Sequence, residues 1–129
     1  MKIKFLISAI VLVLSSFIGA QAQNKIEVNS KQANALLQKD TKIIVVDVRT
    51  PEEFNAGHIK GALNIDVYEP DAFKKIDKLN KNSKYIVHCR TNRRSGIIVD
   101  HMIKSGFKNV FQMMDGFPGW EGNKFPVQK

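Results

Sequence analysis

A single cysteine lies in a strongly cationic stretch of the chain. Cys89 is the only cysteine among 129 residues, and Arg90, Arg93 and Arg94 follow it within five positions. An apolar run at 85–87 precedes it, and apolar residues at helical spacing follow it at 97–103. A strand, a tight loop and a helix N-terminus would direct several backbone N–H groups at one point. That arrangement favours negative charge, and we therefore interpret Cys89 as a thiolate nucleophile.

The alternative is a cysteine that only fills space in the core, which is a common use of free cysteine. Three neighbouring arginines contradict that interpretation, because unpaired guanidinium groups are not buried in an apolar core. The N-terminal sequence, described below, indicates export, and structural cysteines of exported proteins usually occur in pairs. This chain has one cysteine. The sequence therefore favours a reactive thiol.

Residues 89–95 resemble the active-site loop of the rhodanese (thiosulfate sulfurtransferase) family, usually written C-x-x-G-x-R-S. Residues 46–62, which end in H-I-K-G-A, are similar to the family's N-terminal signature. Residues 115–127 are similar to its C-terminal ending, G-x-x-x-W followed by P-V. One position departs from the pattern, because Asn92 stands where the family usually has glycine. Asparagine tolerates left-handed backbone better than most residues, so the loop is expected to close.

The resemblance implies a sulfurtransferase that works through a persulfide on Cys89, with no cofactor. No metal site is expected, because no two candidate ligands share a recognised spacing. A small anionic donor such as thiosulfate would supply the sulfur, and cyanide, a thiol or a protein acceptor would remove it. Arg94 matches the family's arginine and is expected to order the loop, while Ser95 is expected to cap the following helix. The residues expected to form the anion-binding loop are Arg90, Thr91, Asn92, Arg93, Arg94 and Ser95.

Two other functions compete with sulfur transfer. Phosphatases with a related loop, and arsenate reductases of similar chemistry, separate cysteine and arginine by five residues. Here Cys89 and Arg94 are separated by four, which makes the loop too small for that chemistry. The second alternative is a non-catalytic binding domain or sulfur carrier, since a fold does not determine a function.

The elements that position this loop alternate between strand and helix. Strands are predicted at 26–28, 43–46, 62–65, 85–87 and 109–112. Helices are predicted after a Ser30 cap, after a capping box at 50–53, at 71–79 with Phe73 on the buried side, and after the cysteine loop. Residues 116–120 are expected to form a loop. This pattern, like the resemblance, implies a small α/β domain with a mostly parallel five-stranded sheet and helices on both faces.

The carboxyl ends of parallel strands share one edge of the sheet, which is where ligands bind in such folds. Asp47 and Arg49 follow one predicted strand and are expected to line the site beside Cys89. The alternative for Arg49 is a local ion pair with Glu52 or Glu53. No histidine is assigned a catalytic role: His58 is expected to be structural, and strand alternation directs His88 away from the side of Cys89.

The N-terminus resembles an export signal. Lys2 and Lys4 precede an apolar run at 5–20, and Ala20-Gln21-Ala22 fits a small-x-small cleavage site. We expect residues 1–22 to be a signal peptide, residues 23–129 to be one domain, and the product to be periplasmic or secreted without stable membrane insertion. The net charge of +8 comes mostly from scattered lysines. With no basic stripe or stacking platform, nucleic-acid binding is not expected.

Overall fold

The strand that precedes Cys89 is central in the sheet. The computed structural model describes residues 25–129. In chain order the elements are β1 (Ile26–Val28), α1 (Ser30–Lys39), β2 (Ile44–Asp47), α2 (Pro51–Ala56), β3 (His58–Ile59), β4 (Leu63–Asn64), α3 (Ala72–Asp77), β5 (Lys84–His88), α4 (Arg93–Lys104), β6 (Asn109–Met113), α5 (Gly116–Gly122) and β7 (Val127–Gln128). Five strands form a sheet in the order β1-β6-β5-β2-β4. Every pairing in it is parallel, which confirms the predicted fold class.

Side chains of β5 alternate between two apolar cores, one on each face of the sheet. Tyr85, Val87 and Cys89 pack in the core that contains residues of α3 and α4. Ile86 packs in the other core, with residues of α1 and α5. The ring of His88 stacks on Phe117 of the second core, so His88 lies on the opposite face from Cys89, as predicted. A continuous apolar strand is what a parallel sheet covered on both faces requires.

The predicted start of α2 is confirmed. Thr50 Oγ1 accepts a hydrogen bond from the backbone N–H of Glu53 at 3.3 Å, and Glu53 Oε1 accepts one from the N–H of Thr50 at 3.4 Å. Pro51 occupies the first helical position, where its missing N–H is not needed. This reciprocal cap fixes Glu53 at the start of the helix, with its side chain free to make a further contact.

Three local predictions are wrong, and one pair of strands was missed. The cap of α1 is Asn29, because Ser30 lies inside the helix and donates to Asp115 Oδ2 at 2.6 Å. Phe73 is 44% exposed and stacks on His101 on the surface of the domain. Residues expected to form a loop make up most of α5, whose Trp120 is buried. β3 and β7, which form a separate antiparallel pair, were not predicted.

No helix within residues 25–129 is both long and apolar enough to cross a bilayer. The predicted signal peptide, residues 1–22, lies outside the described residues.

Candidate active site

Cys89 is the first residue after β5, and its sulfur faces the first turn of α4. The backbone N–H of Ser95 donates a hydrogen bond to Sγ at 3.3 Å, and Ser95 Oγ lies 3.5 Å from Sγ. Ser95 is the third residue of α4, so its N–H is one of the donors that has no partner within the helix. The positive end of the helix dipole acts in the same direction. Negative charge on Sγ is therefore stabilised by the backbone, in a site where Cys89 has no exposed surface.

The predicted helix cap at Ser95 is wrong. The cap of α4 is Asn92, whose φ of −142° is in the range open to all residues. The expected left-handed conformation at this position is therefore also absent: Lys124 is the only non-glycine residue with positive φ within residues 25–129. Asn92 is held through its carbonyl oxygen, which accepts from Gly96 N at 3.0 Å, from Ser95 Oγ at 3.2 Å and from Gln112 Nε2 at 2.9 Å.

The three arginines of the loop have different surroundings. The guanidinium of Arg94 binds both carboxylate oxygens of Glu53, at 2.7 and 3.1 Å, and lies 5.7 Å from the ring centroid of Tyr68. Arg90 and Arg93 are exposed, and neither forms an ion pair within residues 25–129. Arg94 therefore fastens the loop to α2, while Arg90 and Arg93 leave two positive charges at its surface.

The ion pair of Arg94 and Glu53 perturbs both groups. Hydrogen bonds from Arg94 lower the pKa of Glu53 to about 2. Those same bonds raise the pKa of Arg94, and negative charge at Cys89 contributes a smaller increase. Arg94 is thus coupled electrostatically to the sulfur although its hydrogen bonds are made to Glu53. The sequence interpretation missed this role of Glu53, because the residue was already explained by the helix cap.

Asp47 and Arg49 form a buried ion pair at the end of β2. Arg49 Nη2 lies 2.8 Å from Asp47 Oδ2 and also donates to the carbonyl of Gly57 at 2.7 Å. The alternative partners Glu52 and Glu53 are therefore wrong for Arg49. Its guanidinium also stacks over the ring of Phe117, 4.1 Å from the centroid. Since β2 pairs with β5, this charged pair lies beside the strand that carries Cys89.

A cavity of about 240 Å³ lies next to Arg49 of this ion pair. Arg49 and the loop residue Arg90 both line it, together with Glu53, Phe117, Pro118 and Glu121. Asp47 is not among the lining residues and lies buried behind Arg49. Two arginines and two glutamates therefore line the same cavity.

His88 lies next to Cys89 in the chain but does not contact its sulfur. His88 Nδ1 is 3.2 Å from the carbonyl oxygen of Cys89, and Nε2 is 3.6 Å from Asp47 Oδ2. Burial lowers the pKa of His88, although the charge of Asp47 opposes that effect, so the ring is neutral at neutral pH. The ring of His58 stacks on Phe54, and its Nδ1 lies 2.9 Å from the carbonyl oxygen of Phe54, so its contacts are with α2.

The backbone at the start of α5 packs against the backbone of the cysteine loop. The backbone N–H of Phe117 donates to the carbonyl of Cys89 at 2.9 Å. Gly116 has a φ of +63°, and a Cβ at that position would overlap with the carbonyl oxygen of Arg90. Glycine is therefore required at this position for two reasons: its φ is positive, and no side chain fits between the two backbones. The loop backbone packs directly against the backbone of Gly116.

Comparison with known proteins gives one consistent family. The family model described as a rhodanese-like domain matches residues 29–123. The chain is 26% identical over 87 residues to the thiosulfate sulfurtransferase GlpE of Coxiella burnetii, covering 67% of this chain and 79% of GlpE. It is 30% identical over 96 residues to YrkF of Bacillus subtilis, which is named as a candidate sulfur carrier protein. That match covers 74% of this chain but only about half of YrkF, 51%.

Solved structures have the same fold. A rhodanese-related protein of Thermoplasma volcanium superposes with a TM-score of 0.70 at 25% identity, covering 80% of this chain and 97% of that one. The polysulfide-sulfur transferase homodimer of Wolinella succinogenes superposes with a TM-score of 0.69 at 23% identity, covering 83% and 81%.

Proposed function

The chain belongs to the rhodanese-like domain family, and we propose that it is a sulfurtransferase that carries sulfane sulfur as a persulfide on Cys89. The observation that carries the proposal is the contact of Cys89 Sγ with the N–H of Ser95, 3.3 Å away, at the N-terminus of α4. A sulfur anion at this place accepts a hydrogen bond from a backbone N–H that is already in position, so the loop does not have to rearrange to stabilise it. The naming of GlpE as a thiosulfate sulfurtransferase supports the same chemistry.

In the first half-reaction the thiolate of Cys89 attacks the outer sulfur of a donor such as thiosulfate. A new S–S bond forms at Cys89, the S–S bond of the donor breaks, and sulfite leaves with the electron pair. In the second half-reaction cyanide or a thiolate attacks the outer sulfur of the persulfide. The thiolate of Cys89 then leaves and the enzyme is regenerated. No external oxidant or reductant is needed.

The positive groups around the loop would assist at two stages. Arg90 and Arg93, which are exposed, attract a dianionic donor to the loop. Arg94 and the N–H of Ser95 then stabilise charge close to the sulfur. Because Cys89 has no exposed surface, a donor reaches Sγ only when loop atoms move aside. Small anions require the least movement, which favours thiosulfate-sized donors over bulky ones.

Phosphatase chemistry is disfavoured by the same loop. Such an enzyme needs its loop arginine to bind the oxygens of a phosphate held above the cysteine. Here the guanidinium of Arg94 is bound to both oxygens of Glu53. An arginine already paired in this way would have to leave its partner before it could bind phosphate.

The proposal is tested by intact mass spectrometry of the purified protein after incubation with thiosulfate. We expect one added sulfur atom, which disappears when cyanide is added. The matched control is Cys89→Ser, which keeps the size of the side chain but cannot hold a persulfide, and which should gain no sulfur. Absence of the adduct on the wild-type protein, or an equal adduct on Cys89→Ser, would refute the proposal.

A sulfur carrier that serves one protein partner is the second candidate, favoured by the name of YrkF. Enzyme and carrier differ in the second half-reaction. A sulfurtransferase with small acceptors turns over thiosulfate and cyanide repeatedly. A dedicated carrier forms the adduct once and transfers its sulfur to neither cyanide nor small thiols. Steady-state production of thiocyanate therefore separates the two candidates.

We also propose that residues 1–22 are removed during export, so that the mature domain begins at Gln23 and functions in the periplasm or outside the cell. The support is the basic, apolar and small-residue pattern of the N-terminal sequence. N-terminal sequencing of the protein from a cell-envelope extract tests it. A chain that retains Met1 or the apolar run would contradict export with cleavage.

A further inference from the structure

Gln112 is a buried polar residue that touches the cysteine loop from the neighbouring strand. It lies on β6, is 1% exposed, and is paired in register with Val87 of β5. Its Nε2 atom donates to Asn92 O at 2.9 Å and to Ser95 Oγ at 3.0 Å. Both N–H bonds of the amide are therefore used on residues that surround Cys89.

The amide is retained at a cost to the fold. Gln112 Oε1 is buried and has no hydrogen-bond partner among the described residues, which is destabilising. Reversing the amide would not help, because it would place Oε1 against the carbonyl oxygen of Asn92. A methionine would fill similar space without an unpaired oxygen. What the amide provides in return is its pair of donors to the loop.

The two N–H donors of Gln112 affect which acceptor receives the hydroxyl proton of Ser95. Its single proton has two acceptors within reach, Asn92 O at 3.2 Å and Cys89 Sγ at 3.5 Å. While Cys89 is a thiol, its S–H can donate to Ser95 Oγ and the hydroxyl can donate to Asn92 O. Once the thiol proton has left for solvent, the hydroxyl can turn toward the anionic sulfur. Asn92 O then still accepts from Gln112 Nε2 and from Gly96 N.

We propose that Gln112 is a positioning residue that, by satisfying Asn92 O, frees the Ser95 hydroxyl to donate to the sulfur of Cys89 whenever that sulfur is anionic. The inference rests on the proposed function, since thiolate and persulfide are the anionic states of that cycle. Without Gln112, Asn92 O would keep only the N–H of Gly96 as a donor and would compete with the sulfur for the hydroxyl proton. The anion would then keep the N–H of Ser95 and lose the second donor.

Other charged or titratable groups around the loop do not depend on Gln112. Arg94 is bound to Glu53 from α2, and Arg90 and Arg93 are exposed. Asp47, Arg49 and His88 lie at the ends of β2 and β5, and Asp115 after β6 is bonded to Ser30. A change at Gln112 that alters the charge state of Cys89 therefore acts through the hydrogen bonds to Asn92 and Ser95.

The test is the pH profile of Cys89 alkylation by iodoacetamide, which requires no sulfur transfer. In Gln112→Met we expect the midpoint of the profile to rise by about half to one pH unit, because the thiolate loses a donor. Ser95→Ala should raise it by a similar amount. The double variant should show no further rise, because Gln112 acts through the Ser95 hydroxyl. Gln38→Met on α1 is the matched control and should leave the midpoint unchanged.

An unchanged midpoint in Gln112→Met would overturn the proposal, and so would additive shifts in the double variant. Urea unfolding accompanies each measurement and establishes that each variant is folded under the conditions of the alkylation assay. If that variant does not fold, Gln112→Asn is measured instead, since its shorter amide cannot reach both partners and its midpoint should also rise. Failure of sulfur loading would refute the proposed function while leaving this alkylation result intact.

Discussion

The ion pair between Glu53 and Arg94 should make the stability of the domain depend on acid pH. The perturbation is Glu53→Gln, which can keep the oxygen that caps α2 but removes the charge that Arg94 binds. Both side chains are mostly covered, with 30% of Glu53 and 16% of Arg94 exposed. Because Glu53→Gln keeps the size of the side chain, a change in stability measures the effect of the lost negative charge.

The contribution of this ion pair to the free energy of unfolding follows from the pKa of Glu53. A carboxyl whose pKa falls from 4.5 to about 2 on folding contributes up to about 3 kcal/mol at neutral pH. Solvent screening of a pair that is partly exposed reduces this to about 1–2 kcal/mol. Because the folded pKa is the lower one, the contribution is complete above pH 4.5 and is lost as the pH falls through about 2.

The assay is urea unfolding of the wild type and Glu53→Gln at neutral pH and at several values down to the lowest pH at which both remain folded. We expect Glu53→Gln to be about 1–2 kcal/mol less stable at pH 7, and the difference to shrink steadily below pH 4.5. Glu52→Gln, which removes the same charge from an exposed neighbour, serves as the control and should change little. A difference that is absent at pH 7, or that persists unchanged in acid, would refute the reasoning.

Three further predictions concern the loop. Gly116→Ala should cost at least about 2 kcal/mol in urea unfolding and reduce sulfur loading, because both the positive φ and the Arg90 carbonyl oppose a Cβ; wild-type loading would contradict it. One residue inserted between Asn92 and Arg93 should abolish thiosulfate:cyanide activity and give little phosphate-ester hydrolysis, whereas retained sulfur transfer would show that loop length does not set specificity. The persulfide should outlast removal of the donor and vanish on adding a thiol, because Cys89 is the chain's only cysteine. Rapid spontaneous loss, followed by intact mass, would contradict a protected state.

The parts of the fold that could be predicted have strong local signals. A run of β-branched residues marks β2, and the Thr50–Glu53 spacing marks the start of α2. The elements that could not be predicted depend on distant contacts. α5 contains three glycines and a proline among its seven residues, a composition typical of loops, and is stabilised by burial of Phe117 and Trp120. β3 and β7 have two residues each and exist only as a pair.

The site divides in the same way. The sequence places Cys89 and the loop after a strand because those residues are contiguous, and the structure has them there. Glu53 and Gln112 reach the loop from positions 41 and 20 residues away, counted to Arg94 and Asn92. No spacing rule connects such residues. A polar side chain between the apolar Phe111 and Met113 was the one available signal for Gln112.

The position of β5 in the sheet has a consequence for how the domain loses its site when it is stressed. The outer strands β1 and β4 are short, with three and two residues, and such edges fray first in a folded protein. β5 lies between β6 and β2, so its amides are exposed to hydrogen exchange only when a neighbour detaches. We therefore expect the strand that leads to the reactive sulfur to be among the slowest to exchange within residues 25–129. On heating, the cysteine loop should keep its geometry until the whole domain melts in one transition.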